Sequence, residues 1–309
     1  MLSRSIPSLR VAAPAIIRSC STARDKVIEG VEDFAMFKQY MDEINQRIIT
    51  ELEKVLGLRY PKELMMIRTL LGEHRCPLPT LCIASCQAVG VNESRAMPIA
   101  CILVMMAVAT FTRDYAPRMD DLDLQSEKLE NYKRFDKEMD PPANDPLICL
   151  AYEYLACHAG SMSPEQFVQV FVELSSVCKD LGLVELQYIL RHKSGKIFGA
   201  SAACEVIVGG ASEEEVKMLG RFGITTGFLF REVDDIINGT KNREETGDSA
   251  GSDPASGKLT FVKRIGTEGA KDYADKLLDE TLQLLSGLEP ERTARLRDLV
   301  MYIHDQQNL

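Results

Sequence analysis

The chain has no lysine- or arginine-rich tract. Its 36 Lys and Arg are outnumbered by 46 Asp and Glu, giving a formal net charge of −10 and a pI near 5.1. That balance disfavours nucleic-acid binding, which needs a basic footprint against phosphates. An anionic substrate must instead be met by metal ions or by a few focused cations. A secretory signature is also missing, because the N-terminal stretch has no continuous apolar run. The nine cysteines are odd in number and widely spaced. They do not read as a disulfide framework but as reduced, mostly buried thiols. The longest apolar stretch, Met97 to Thr112, falls short of the roughly 20 residues of a membrane span and reads as a buried core helix. There is no convincing alternating strand series and no tandem repeat.

What the sequence does have is helical periodicity. Phe37, Met41, Ile44, Ile48, Leu52 and Val55 recur every three or four residues, so they share one helix face. Val216, Leu219, Phe222, Thr226, Phe230 and Val233 repeat the pattern, as do Tyr273, Leu277 and Leu284, and then Leu296, Leu299 and Ile303. Val206 to Val208 has strand composition but continues an alanine-rich helical run from Ala200. Pro141, Pro142 and Pro146 mark a break between helices, and the Gly-, Ser- and Asp-rich stretch from Thr246 to Gly257 reads as a mobile loop. The pattern predicts an all-α, single-domain bundle of about ten or more antiparallel helices over residues 30–309. Residues 1–24 differ: Arg4, Arg10, Arg18, Arg24 and five serines precede the first acid, Asp25. That is the composition of an organelle import peptide.

The most informative segment runs from Phe228 to Asn238 and ends an apolar helix with Asp234 and Asp235. Asp234 and Asn238 lie one turn apart on one face, with Asp235 beside them. Oxygen ligands at that spacing suit Mg²⁺, which then holds a diphosphate; a solvated helix end is the plainer alternative. Around it stand Arg191-His192-Lys193-Ser194, the Gly209-Gly210 turn, Gly251-Ser252-Asp253 and Gly257-Lys258-Leu259-Thr260-Phe261. Upstream lie Phe37-Lys38, Tyr40-Met41, and Leu81-Cys82-Ile83-Ala84-Ser85-Cys86 followed by Val89-Gly90. This order resembles plant geranylgeranyl diphosphate synthases of the trans-isoprenyl diphosphate synthase family, from about residue 34 to the end. The resemblance implies a helical fold around a central cavity. It also implies a chemistry in which an allylic diphosphate ionises on Mg²⁺ and isopentenyl diphosphate attacks the cation.

The match is incomplete where the family places its ligands. Arg113 to Asp123 stands where the family reads His-Asp-Asp-Leu-Pro-x-Met-Asp. Asp114 and Asp120 match the outer acids, Tyr115 replaces the second aspartate, and Arg118 adds a positive charge. A tyrosine is not an anionic Mg²⁺ ligand at neutral pH. Asp120, Asp121 and Asp123 form a further cluster, read either as a solvated acidic turn or as a metal site in a shifted register. Gln125-Ser126 replaces an arginine pair, and neither side chain substitutes for a bidentate cation. In the homoallylic pocket Arg75 stands in for a lysine, Glu73 adds a repelling anion, and Tyr132 takes a histidine's place. By the same resemblance Gln187, Lys193 and Lys258 survive as substrate-binding residues, while Ser252 replaces a lysine.

Cys82 and Cys86 are spaced i, i+4 and so project from one helix face. On composition they read as two small buried residues. The small subunits of heteromeric plant synthases carry Cys-x-x-x-Cys motifs implicated in docking to a catalytic large subunit. By that resemblance Cys82 and Cys86 are partner-binding, although the second such motif is reduced to Cys204 alone. Three functions follow. The first is a non-catalytic subunit that modifies an active geranylgeranyl or geranyl diphosphate synthase. The second is a divergent active Mg²⁺-dependent prenyltransferase using Asp114, Asp120 and Asp123 against Asp234 and Asp235, and the third is a binder of isoprenoid diphosphates through Lys193, Lys258 and one metal site. The small-subunit analogy implies a plastid, while the presequence composition leaves a mitochondrion as the alternative.

Overall fold

Ten α-helices and no strand make up the described part of a computed structural model, which covers residues 34–72, 76–115, 145–178, 187–240 and 261–308. The helices are α1 (Phe34–Leu56), α2 (Pro61–Gly72), α3 (Leu78–Ala88), α4 (Glu93–Tyr115), α5 (Asp145–Cys157), α6 (Pro164–Cys178), α7 (Gln187–Gly209), α8 (Glu213–Thr240), α9 (Phe261–Leu284) and α10 (Pro290–Asp305). Residues 1–24, read from composition as an import peptide, and the Thr246 to Gly257 stretch lie outside the described residues.

The periodic faces become the core. On α1 Phe37, Met41, Ile44, Ile48 and Leu52 are buried, and Leu56 rather than Val55 takes the last core position. Each such side chain stabilises the fold by about 1.5–3 kcal/mol. Buried Asn45 on α1 donates to the Leu71 carbonyl at 3.1 Å, tying α1 to the end of α2. Phe37 and Phe34 pack on Tyr302 of α10, with ring centroids 5.7 and 6.1 Å apart. Helix α4 contains the predicted core run, buried from Ile99 to Thr110. It is long and apolar enough to cross a membrane, yet 72% of that 18-residue window is buried inside the fold. Val206 to Val208 is helical, inside α7.

Helices α7 and α8 form the antiparallel pair that positions the site. The turn between them needs a left-handed residue, supplied by Gly210 at φ 77°. A capping box then starts α8: Glu215 N–H donates to Ser212 Oγ at 3.3 Å, and Ser212 N–H donates to Glu215 Oε2 at 2.9 Å. The Ser212 N–H and hydroxyl, both donating to Oε2, hold the Glu215 carboxyl below the usual range. Along the pair the backbones nearly touch. A Cβ at Gly223 would lie 2.3 Å from the Phe198 carbonyl oxygen, and one at Gly227 would lie 2.7 Å from that of Ser194. Two side-chain-free positions one turn apart therefore fix the register of α7 against α8.

Candidate functional site

Asp234 and Asp235 do not end their helix, as the sequence pattern suggested. α8 continues to Thr240, because Ile236 and Ile237 extend its apolar stripe into the core. Asp235 is buried and Asp234 is about one-third exposed, with 8% and 32% of their side chains accessible. The side chain of Arg231, one turn earlier, reaches both. Its Nη1 donates to Asp234 Oδ2 at 3.3 Å, and its Nη2 lies 2.9 Å from Asp235 Oδ1 in an ion pair. Arg231 is itself only 20% exposed.

Lys193 stands across from this turn. The contacts of Ser194 with Gly227, and of Gly195 with Phe228, put the N-terminal half of α7 level with the C-terminal half of α8. Lys193 is buried there, at 5% exposure. Arg231, Asp234 and Asp235 thus meet on α8, and buried Lys193 lies on the facing helix α7, level with Gly227 and Phe228. Asp114, Gln187 and Asn238 have helical backbones in α4, α7 and α8, but their side chains lie outside the described set. Arg75, Asp120, Asp121, Asp123 and Lys258 lie outside the described residues altogether.

Whether magnesium fits can be judged from the donor set on α8. A hard divalent cation wants several anionic oxygens free to close around it. Here both carboxylates already face one guanidinium, and the next position on that face is the neutral Asn238. Among the described residues no group of three or more His, Cys, Asp or Glu side chains is arranged to hold a metal ion. Among the described residues, the α8 donor set does not fit the ion as it stands.

The cysteine motif faces inward. Cys82 and Cys86 on α3 are buried at 0% and 1% exposure, in the layer between α3 and α7. Burial first, and Glu205 second, push Cys82 well above the ordinary thiol range and Cys86 up to about 12. Both are neutral and unreactive at physiological pH. This is the placement of two small buried residues; neither thiol is presented on the surface for a partner to touch. Cys149 and Cys157 on α5 are the exposed thiols among the described cysteines.

Two residues were missed on sequence grounds. Arg231 was given no role, although its i, i+3 and i, i+4 spacing to the acid pair was legible. Glu205 of α7 is completely buried, with neither carboxylate oxygen hydrogen-bonded. Burial drives its pKa well above the ordinary range, so the fold holds it protonated. Its position inside the apolar run from Ala200 to Val208 was the available signal.

An all-α bundle whose long helix carries an acid pair opposite a buried lysine has the frame of an isoprenoid synthase. The solved geranylgeranyl pyrophosphate synthetase of Pyrococcus horikoshii shares that frame. It superposes with a TM-score of 0.74 over 89% of this chain and 99% of its own, at 19% identity. A family model described as polyprenyl synthetase matches residues 78–300, and the chain belongs to that family. It is 35% identical to geranylgeranyl pyrophosphate synthase 7, chloroplastic, of Arabidopsis thaliana, over 99% of this chain and 95% of the relative. It is 32% identical to the heterodimeric geranylgeranyl pyrophosphate synthase large subunit 1, chloroplastic, of the same plant, over 99% and 89%.

Proposed function

We propose that this chain is a non-catalytic subunit that pairs with an active geranylgeranyl or geranyl diphosphate synthase and alters its rate or product length. The observation that carries the reading is the depleted acid set in a chain that otherwise belongs to the family. Tyr115 stands in the first motif and Gln125-Ser126 replaces the arginine pair after it, where diphosphate departure calls for carboxylate-held cations and a cationic grip. A relative that is named as one subunit of a heterodimer supports pairing as the role left to such a chain. Several relatives are named chloroplastic, which supports a plastid address, with residues 1–24 as its import peptide. None of them supports the mitochondrial alternative.

The experiment uses the chain truncated near Arg24, with isopentenyl diphosphate, an allylic diphosphate and Mg²⁺, alone and with an active geranylgeranyl diphosphate synthase. The expected result is no product alone and a changed rate or chain length in the mixture. Prenyl diphosphate formed by the chain alone would overturn the reading and establish the second one, an active prenyltransferase. The 35% identity to a synthase favours that second reading.

A further inference from the structure

We infer that Arg231 is a resident cation: on the Asp234–Asp235 pair its guanidinium takes the place of a divalent ion and closes this motif to metal. The inference concerns the chain's own ion binding and does not rest on the subunit role.

Geometry is the first support. Arg231 lies three and four residues before the two acids, so one side chain reaches both from the same helix face. The distances are 3.3 Å to Asp234 and 2.9 Å to Asp235. A guanidinium offers several donors on a planar fork, so it can span two carboxylates, and its charge is permanent. Burial is the second. Arg231 is 80% and Asp235 more than 90% withdrawn from water, where counter-ions screen poorly. Charge is the third. Arg231 reduces the −2 of the acid pair to −1, and Asn238 adds nothing one turn further on. A divalent ion entering here must either expel the guanidinium or sit beside a like charge. What the arrangement accomplishes is an acid pair on α8 whose net charge is halved without magnesium.

The test is a Mn²⁺ titration of the full chain without substrate, with free Mn²⁺ read by electron paramagnetic resonance. Arg231→Gln is expected to gain saturable binding at least about tenfold tighter than the unaltered chain, because both carboxylates are released to the ion. That gain should vanish when Asp234→Asn and Asp235→Asn are added, which separates this motif from the Asp120, Asp121 and Asp123 cluster. The thermal midpoint of Arg231→Gln should rise with Mn²⁺ while that of the unaltered chain stays put. Arg231→Lys carries the same test should the glutamine variant not fold, since one ammonium cannot bridge both acids as the fork does. Equal Mn²⁺ affinity with and without Arg231, or a gain that survives loss of both aspartates, overturns the inference. Neither outcome bears on whether the chain pairs with a synthase.

Discussion

Glu205 makes the stability of this protein depend on pH in an unusual direction. Its carboxyl is fully buried in the α3–α7 layer, without a hydrogen bond to either oxygen, and burial raises its pKa well above 4.5. In the unfolded chain the group ionises near 4.5, whereas the folded chain retains the proton. Above pH 4.5 the folded state therefore binds one more proton than the unfolded state, and folding weakens as pH rises. One retained proton corresponds to about 1.4 kcal/mol per pH unit. The loss continues at that rate until the pH reaches the raised folded-state pKa, and it is drawn from the roughly 5–15 kcal/mol typical of a domain. Glu205→Gln keeps the shape and removes the titration. Urea unfolding of both proteins at pH 5, 6, 7 and 8 should show near-equal stability at pH 5 and a growing advantage for the glutamine variant above it. The neighbouring thiols of Cys82, Cys86 and Cys204 do not obscure the slope, because burial keeps them protonated in the fold and unfolded thiols ionise only near pH 8.5. A stability difference that does not change with pH would refute the reasoning.

Other expectations follow from single contacts. Gly223→Ala drives a methyl group into the Phe198 carbonyl and should cost about 3 kcal/mol or more, read as a lowered thermal midpoint; an unchanged midpoint would show that α7 and α8 are not held this closely. Ser212→Ala removes half of the capping box and should cost about 1 kcal/mol in urea unfolding, with Ser212→Gly costing less. Thiol labelling of the native protein, resolved by peptide mass, should modify Cys149 and Cys157 long before Cys82, Cys86 or Cys204. Early labelling of Cys82 would mean that the α3–α7 layer opens readily.

The helices were legible because burial is periodic along them. Phe37 to Leu52 on α1 and Leu296 to Ile303 on α10 repeat at helical spacing and end up inside. The acid pair was legible because its order along the chain, after Lys193 and the Gly209–Gly210 turn, is itself a pattern. What stayed hidden depends on which neighbour a side chain meets. The i, i+4 spacing of Cys82 and Cys86 gives a shared face, but only the position of α7 shows that this face looks inward. Glu205 reads as a charged residue until the layer that seals it is assembled. The three-residue step from Arg231 to Asp234 permits an ion pair, but only the folded helix shows that Arg231 and Asp235 are mostly withdrawn from solvent while Asp234 stays about one-third exposed.

The same packing explains how a family fold can persist while its ligand set thins. Nothing in the α7–α8 register depends on a metal: it is set by backbone contact at Gly223 and Gly227, by the left-handed turn at Gly210 and by the Ser212–Glu215 cap. A part of α8 that would strain without a counter-ion is the turn bearing Asp234 and Asp235, where two carboxylates on adjacent residues repel and one of them is buried. Arg231 answers that repulsion from within the same helix. The residue at position 115 takes no part in the described contacts that hold α7 against α8.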